Sequence, residues 1–203
     1  MSRLAVKKTH KLYIGGKFPR SESGRSYPAL DAAGDVVARV AWASRKDLRD
    51  AVRSARSAQP GWAGLTASNR GQVMYRIAEM IEDRAATFAE QVAFSGAGLA
   101  EAEAEVAAAI DSTVWYAGWA DKFAQIHGNL NPVAGPFFNI SAPEPSGVIG
   151  VVAPALPSLL GLLHRVLPVV VSGNTAVVVA SETWPVPAVS LTEVLATSDV
   201  PGG

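Results

Sequence analysis

Few residues in this 203-residue sequence are typed and spaced for chemistry. His10, His127 and His164 lie far apart, and none falls in the H-x-x-x-H spacing that sets two imidazoles on one helix face for a metal. The sequence has no cysteine, which removes disulfides, thiolate metal sites and a thiol nucleophile from these residues. Glu101, Glu103 and Glu105 do not read as paired carboxylates, because i and i+2 positions on a helix do not face each other. They read as a solvated helix face. His164-Arg165, inside an otherwise apolar helical stretch, reads as a local polar edge rather than a general base. No G-x-G-x-x-G turn follows an apolar strand. A self-contained active site is not legible, and neither catalytic residues nor metal ligands are assigned.

The elements that would position a site are clearer. Leu12-Tyr13-Ile14, Gly15-Gly16 and Lys17-Phe18 predict a strand, a two-glycine turn and a second strand. Tyr27–Asp31 and Val36–Trp42 predict two more around the turn at Ala32-Ala33-Gly34-Asp35. Ser44 reads as the N-cap of a helix with Leu48, Val52 and Ala55 on one face, ended by Pro60-Gly61. A second helix opens near Ser68 with Val73, Met74, Ile77, Met80 and Ile81 as its apolar stripe. The next carries Phe88 and Val92 and ends at Gly96. Another spans about Leu99 to Gln125, and its Trp115, Trp119 and Phe123 stripe reads as core rather than as a stacking surface.

After Gly128 the helical period stops, and Phe137-Phe138-Asn139-Ile140 reads as extended. From Gly147 the order becomes strand (Val148–Val152), helix (Ser158 to about Leu167), strand (Ala176–Val179) and helix (Val186 to about Thr197). The expected class is α/β, with N-terminal β-hairpins and helices leading into an incomplete Rossmann-like parallel sheet. The expected division is 1-146 and 147-203. Two parallel strands need covered faces and neighbours at their edges. Further chain, a partner, or the N-terminal β segments could supply them.

Basic and acidic residues balance at 18 each, which excludes a global field steering the protein to nucleic acid. The apolar stretch Gly147–Ala180 is cut by Pro154, Pro157 and Pro168, so it is not expected to span a membrane, which takes roughly 20 uninterrupted apolar residues. Met1–Lys11 lacks the apolar centre of a signal peptide, giving a cytoplasmic expectation.

Several segments resemble, in order and spacing, the aldehyde dehydrogenase superfamily. Leu12–Lys17 looks like its opening hairpin, Asp35–Val40 like its next strand, and Gly61-Trp62 with Ser68-Asn69-Arg70 like its helix-to-helix joint. Glu144–Pro154 resembles the entry into its nucleotide-binding domain, continued by Gly173–Val178 and Ser181-Glu182. The resemblance implies NAD or NADP as cofactor, with Ala153, Pro154, Ser181 and Glu182 as cofactor-binding candidates. It implies aldehyde oxidation through a cysteine thiohemiacetal, hydride transfer and thioester hydrolysis, with the cysteine and general-base glutamate beyond the matched part. It also implies homo- or hetero-oligomers with chains of the same type, using the extended Gly128–Ser141 segment.

Two positions depart from the family pattern. Where Trp-Asn-Phe-Pro is expected, the sequence reads Ala155-Leu156-Pro157-Ser158, which replaces the oxyanion-binding amide with a side chain that cannot donate. Where a lysine is expected before the Ser-Glu pair, Val179 stands. Glu182 keeps its acceptor for a ribose hydroxyl pair, or is simply an acid near a helix start. The expected reading is an aldehyde dehydrogenase-like chain without catalysis of its own, or a noncatalytic subunit joined to a complete enzyme. An active enzyme completed by a separate chain ranks last.

Overall fold

The computed structural model describes residues 6–202. It is a mixed α/β fold in which three small sheets are linked by helices. The first sheet has the order β1-β3-β2, with β1 (Thr9–His10) parallel and β2 (Ser26–Leu30) antiparallel to β3 (Val36–Ala41). Strand alternation sends Ala38 and Val40 inward, where they meet Val186, while Arg39 and Ala41 face out. The register places His10 beside Val40, and the ring is only 6% exposed. Burial first, then Lys8, lowers its pKa, and Glu193 opposes them. The expected Leu12–Phe18 hairpin is reduced to one antiparallel bridge, Ile14 to Lys17. Its turn is as read, with Gly15 and Gly16 at φ of 62° and 71°, the left-handed region a two-residue hairpin turn needs.

Helix α1 (Arg45–Gly64) begins with a capping box. The Ser44 hydroxyl accepts from the Asp47 amide at 3.2 Å, and the Asp47 carboxylate accepts from the Ser44 amide at 2.8 Å. The same carboxylate takes the Ser21 hydroxyl at 2.7 Å and the Glu22 amide at 3.1 Å, so it also fixes the loop before β2. Leu48, expected on the buried face, is 47% exposed, because Asp47 occupies the inward position at the start of the helix.

The helix does not stop at Pro60-Gly61. It runs through Pro60 to Gly64 because tertiary contacts outweigh the one main-chain hydrogen bond that proline removes. Trp62 is 6% exposed and donates its indole N–H to the Val170 carbonyl at 2.9 Å, and the Thr175 hydroxyl donates to the Ala55 carbonyl at 3.1 Å. Arg70, on the next helix, bonds the Leu65 carbonyl at 2.6 Å and the Val171 carbonyl at 3.4 Å.

Helices α2 (Ala67–Asp83), α3 (Ala85–Ala93) and α4 (Leu99–Trp119) form the centre. Met74, Ile77, Ile81, Phe88 and Val92 are buried as read. The inward face of α4 is Ala102, Val106, Ala109, Thr113 and Ala117, small enough for close helix approach. At Gly71 of α2 a Cβ would lie 3.1 Å from the Ala117 carbonyl oxygen, so the crossing depends on that glycine. The aromatic stripe is core only in part, with Trp119 half-buried against the main core and Trp115 outside it. Trp115 is 56% exposed and packs edge-on to Tyr116 and tilted against Trp119 on the outer side. The expected helix to Gln125 also breaks, at 120–122, and α5 (Phe123–His127) follows as a separate short helix.

A two-stranded ribbon, β4 (Asn129–Leu130) with β5 (Ile140–Ser141), carries the extended segment. Strands β6 (Val148–Val152) and β7 (Thr175–Val179) then pair in parallel, joined by α6 (Leu160–Val171), and α7 (Val186–Leu195) follows. The N-terminal strands do not complete this pair, since they form their own sheet. The main core joins α2, α3 and α4 to α6 and α7.

The start of α6 has no side-chain cap of its own, as Leu159 occupies the N-cap position. Glu105 of α4 supplies it. One carboxylate oxygen accepts from the Leu159 and Leu160 amides at 2.8 and 3.2 Å. Glu105 is thus not part of a solvated face.

Asp47→Asn is expected to lower unfolding stability by about 1–2 kcal/mol, read from the urea midpoint at pH 7. Burial alone would raise the Asp47 carboxyl, but hydrogen bonds from Ser21, Ser44 and Glu22 outweigh it and hold the pKa below its ordinary value. A lowered folded-state pKa contributes stability that is complete above the unfolded value, about pH 4, and is lost as pH falls through the folded value. The gap between wild type and variant should therefore narrow only in that acid range. Glu105→Ala should cost about 1–2 kcal/mol, and Glu105→Gln, which keeps an acceptor, clearly less. Equal losses in the two variants would rule out the charge-to-helix contribution.

Candidate functional site

The candidate residues are brought to one place by strand pairing. Val152 stands opposite Val179 at the carboxyl ends of β6 and β7, and the Ala153 amide donates to the Val179 carbonyl at 2.9 Å. Ala153 and Pro154 leave the first strand, while Ser181 and Glu182 lie just past the second. All four border the edge where parallel α/β sheets receive ligands. Ala153 is buried, Pro154 and Ser181 are half-buried, and Glu182 is exposed. The Ser181 hydroxyl accepts from the Trp184 amide at 3.2 Å, which fixes the turn into α7.

The loop over this edge is shaped by a glycine. A Cβ on Gly161 would fall 2.7 Å from Pro154 Cγ and 3.3 Å from Pro157 Cδ, so the first turn of α6 admits the loop only without a side chain. Within the loop, Leu156 is 55% exposed, and the two prolines flank it without offering a donor. Ser158 is 3% exposed and its hydroxyl has no partner among the described residues. The helix start behind the loop, a natural place for an anion, is already filled by Glu105. Val152 and Val179, at the strand ends, are exposed and apolar.

Glu182 has no ion-pair partner among the described residues. Its carboxylate reaches the N-terminal sheet electrostatically. The Tyr27 phenol is raised above its ordinary value first by burial and then by Glu182. Tyr27 meets Trp42 edge-on at 6.1 Å. The first sheet and the loop after β7 are therefore neighbours, a relation that local sequence pattern does not carry.

A concavity of about 410 Å³ lies between α4 and α6 and is lined by Asp111, Ser112, Trp115, Tyr116 and His164. The Ser112 hydroxyl and His164 Nε2 are 2.9 Å apart, which ties the two helices together. No described carboxylate bonds the other ring nitrogen, and the pair sits on helix interiors whose amides are engaged. This is the polar edge read at His164-Arg165, now with its partner. Arg165 turns back to the Gly161 carbonyl at 2.7 Å. Among the described residues no group of three or more His, Asp or Glu is placed to hold a metal ion, and no helix is long and apolar enough to cross a membrane.

Sequence reasoning missed Glu105 as a functional support. The available signal was its place beside the buried positions Ala102, Val106 and Ala109, together with the lack of a capping side chain at Leu159.

The aldehyde dehydrogenase family matches residues 18–203. Retinal dehydrogenase 2 of Gallus gallus is 33% identical over 206 residues, 98% of this chain and 39% of its own length. Aldehyde dehydrogenase 1A1 of Gallus gallus is 30% identical, covering 98% of this chain and 40% of its own. An aldehyde dehydrogenase from Bacillus cereus, solved as an NAD+ complex, superposes with a TM-score of 0.90 at 27% identity, over 95% of this chain and 40% of that one. The chain spans about two fifths of the length of these relatives, corresponding to their N-terminal part. On the family match, the relatives and the shared architecture together, the chain belongs to the aldehyde dehydrogenase family.

Proposed function

We propose that these residues form the first part of an aldehyde dehydrogenase scaffold, with a weakened NAD(P) edge and no aldehyde oxidation of their own. The observation that carries this reading is at the carboxyl ends of β6 and β7. The two positions where the family's chemistry asks for an amide and a cation are Leu156 and Val179, both about half exposed. Removing one oxyanion donor costs on the order of 10²–10³ in rate, and the sequence holds no cysteine to form the thiohemiacetal.

On this reading residues 1–146 are the N-terminal strands, helices and association segment, and 147–203 open the nucleotide-binding unit. Ala153 and Pro154 would border the cofactor, Ser181 would hold the turn, and Glu182 would accept from ribose hydroxyls. Hydride acceptance is the chemistry that NAD or NADP supplies when bound. This chain's own residues would only orient the adenosine end.

A second reading, a noncatalytic subunit bound to chains of its own type, is favoured by the β4–β5 ribbon. Leu130, Phe137, Phe138 and Ile140 are 60–81% exposed there, a run of apolar surface of the kind that marks an interaction site.

Titration of the purified chain with NAD and with NADP tests the first reading. Weak or no binding is expected for the wild type. Val179→Lys with Leu156→Asn should tighten NAD binding by about tenfold, the worth of a charged hydrogen bond, and no gain would count against a vestigial cofactor edge. For the second reading, light-scattering mass should exceed that of one chain, alone or mixed with a complete family member. Phe137→Ser with Phe138→Ser should return it to the single-chain value without lowering the thermal midpoint.

A further inference from the structure

The outer face of the first sheet holds a feature that neither reading uses. β1, β2, β3 and the loop before β2 line a half-open surface cavity of about 270 Å³ whose wall includes Lys11, Arg20, Arg25 and Ser26 and no carboxylate. The register explains the grouping. Thr9 pairs with Arg39, and Ser26 pairs with Ala41, so these four share the face turned away from Val186. His10, opposite Val40 and largely buried, also contributes to the lining of the cavity. Arg39 adds a fourth cation at the rim, its guanidinium donating to the Ser26 hydroxyl and carbonyl at 3.2 Å each.

Elsewhere the basic side chains often find acids. Lys8 pairs with Glu193, Arg76 with Glu79, and Lys122 with Asp121. Lys11, Arg20, Arg25 and Arg39 have no carboxylate within ion-pair distance among the described residues. Two acids that meet this loop are committed to the start of α1. Glu22 accepts from the Ser44 hydroxyl at 3.0 Å and lies 4.0 Å from Lys46, while Asp47 takes the Ser21 hydroxyl and two amides. The Asp47 bonds also hold Ser21, at 5% exposure, so that the loop bearing Arg20 and Arg25 is fixed to the start of α1.

We propose that this cavity binds a phosphate-type dianion, either inorganic phosphate or the phosphate of a small phosphomonoester. Gathering like charges around one concavity costs free energy that an anion seated among them offsets. Two guanidinium forks from the loop before β2 and an ammonium just past β1, all on one pocket, suit the several oxygens of a tetrahedral oxyanion better than a planar carboxylate, which one fork satisfies. The volume exceeds that of a bare oxyanion and leaves room for a small organic body. The site is independent of the NAD(P) edge described above.

Calorimetric titration at low ionic strength, with inorganic phosphate and with a hexose monophosphate as separate probes, tests it. Saturable binding of one equivalent is expected for at least one probe, with none for the unphosphorylated hexose. Preference for the hexose monophosphate would identify a phosphorylated metabolite, and equal affinities a site for the oxyanion itself. Arg20→Ala and Arg25→Ala should each weaken binding by about tenfold or more, the worth of a charged hydrogen bond. Arg53→Ala, on the exposed side of α1, should leave it unchanged. All three side chains are exposed, so unchanged thermal midpoints would separate lost binding from lost folding. Absence of saturation with both probes, or equal weakening by Arg53→Ala, would overturn the proposal.

Discussion

The fold turns on the satisfaction of the last carbonyls of α6. A helix leaves its final carbonyl oxygens without intrahelical donors, and burying them unpaired is costly. Here the donors come from more than 100 residues earlier in the chain, Trp62 to Val170 and Arg70 to Val171. Arg70 also bonds Ala63 and Leu65, so one guanidinium closes the α1–α2 joint and secures α6 at once. Thr175 adds the reciprocal link, from the start of β7 back to Ala55. The parallel pair β6–β7 is short and has no further strand among the described residues, yet it is held because α1 is bonded to the start of β7 and α6 is clamped at its end.

This joint also explains which parts of the architecture were legible. Gly61-Trp62 and Ser68-Asn69-Arg70 could be recognised as a joint, and Met74, Ile77 and Ile81 as a buried stripe, because the types and spacing are local properties. The persistence of α1 through Pro60 could not, since the compensating bonds come from residues distant in sequence. The same limit applies to the stripe of α4. Aromatics at i and i+4 are usually core, but the close crossing at Gly71 demands small residues inward, which pushes Trp115 outward. Large apolar side chains follow available volume, and local periodicity does not report it.

At the candidate site, position was legible and partnership was not. The four residues assigned to the cofactor edge lie at the strand ends because the order strand, helix, strand determines where those ends fall. Glu105 as the acceptor at the start of α6, and Glu182 acting on Tyr27, depend on how α4 and the first sheet pack against the α/β part. Neither contact leaves a repeating trace in the sequence. A long-range hydrogen bond requires only one suitable atom at each end.

Glu105 bears on what the edge can still do. A helix start attracts negative charge because its first amides are unpaired, and that attraction is available to a ligand only while no protein group uses it. In this chain two of those amides are spent on a carboxylate from α4. The Leu156 side chain offers no donor, and the Val179 side chain offers no charge. What remains is Glu182, an acceptor suited to hydroxyls and opposed to phosphate. On the proposed reading the edge keeps the group that would read a sugar and lacks those that would hold an oxyanion or a negative charge. The backbone geometry survives this loss because none of the missing groups supports the fold. The loop is held by Gly161, by the Ala153 amide and by Glu105, and each of these is in place.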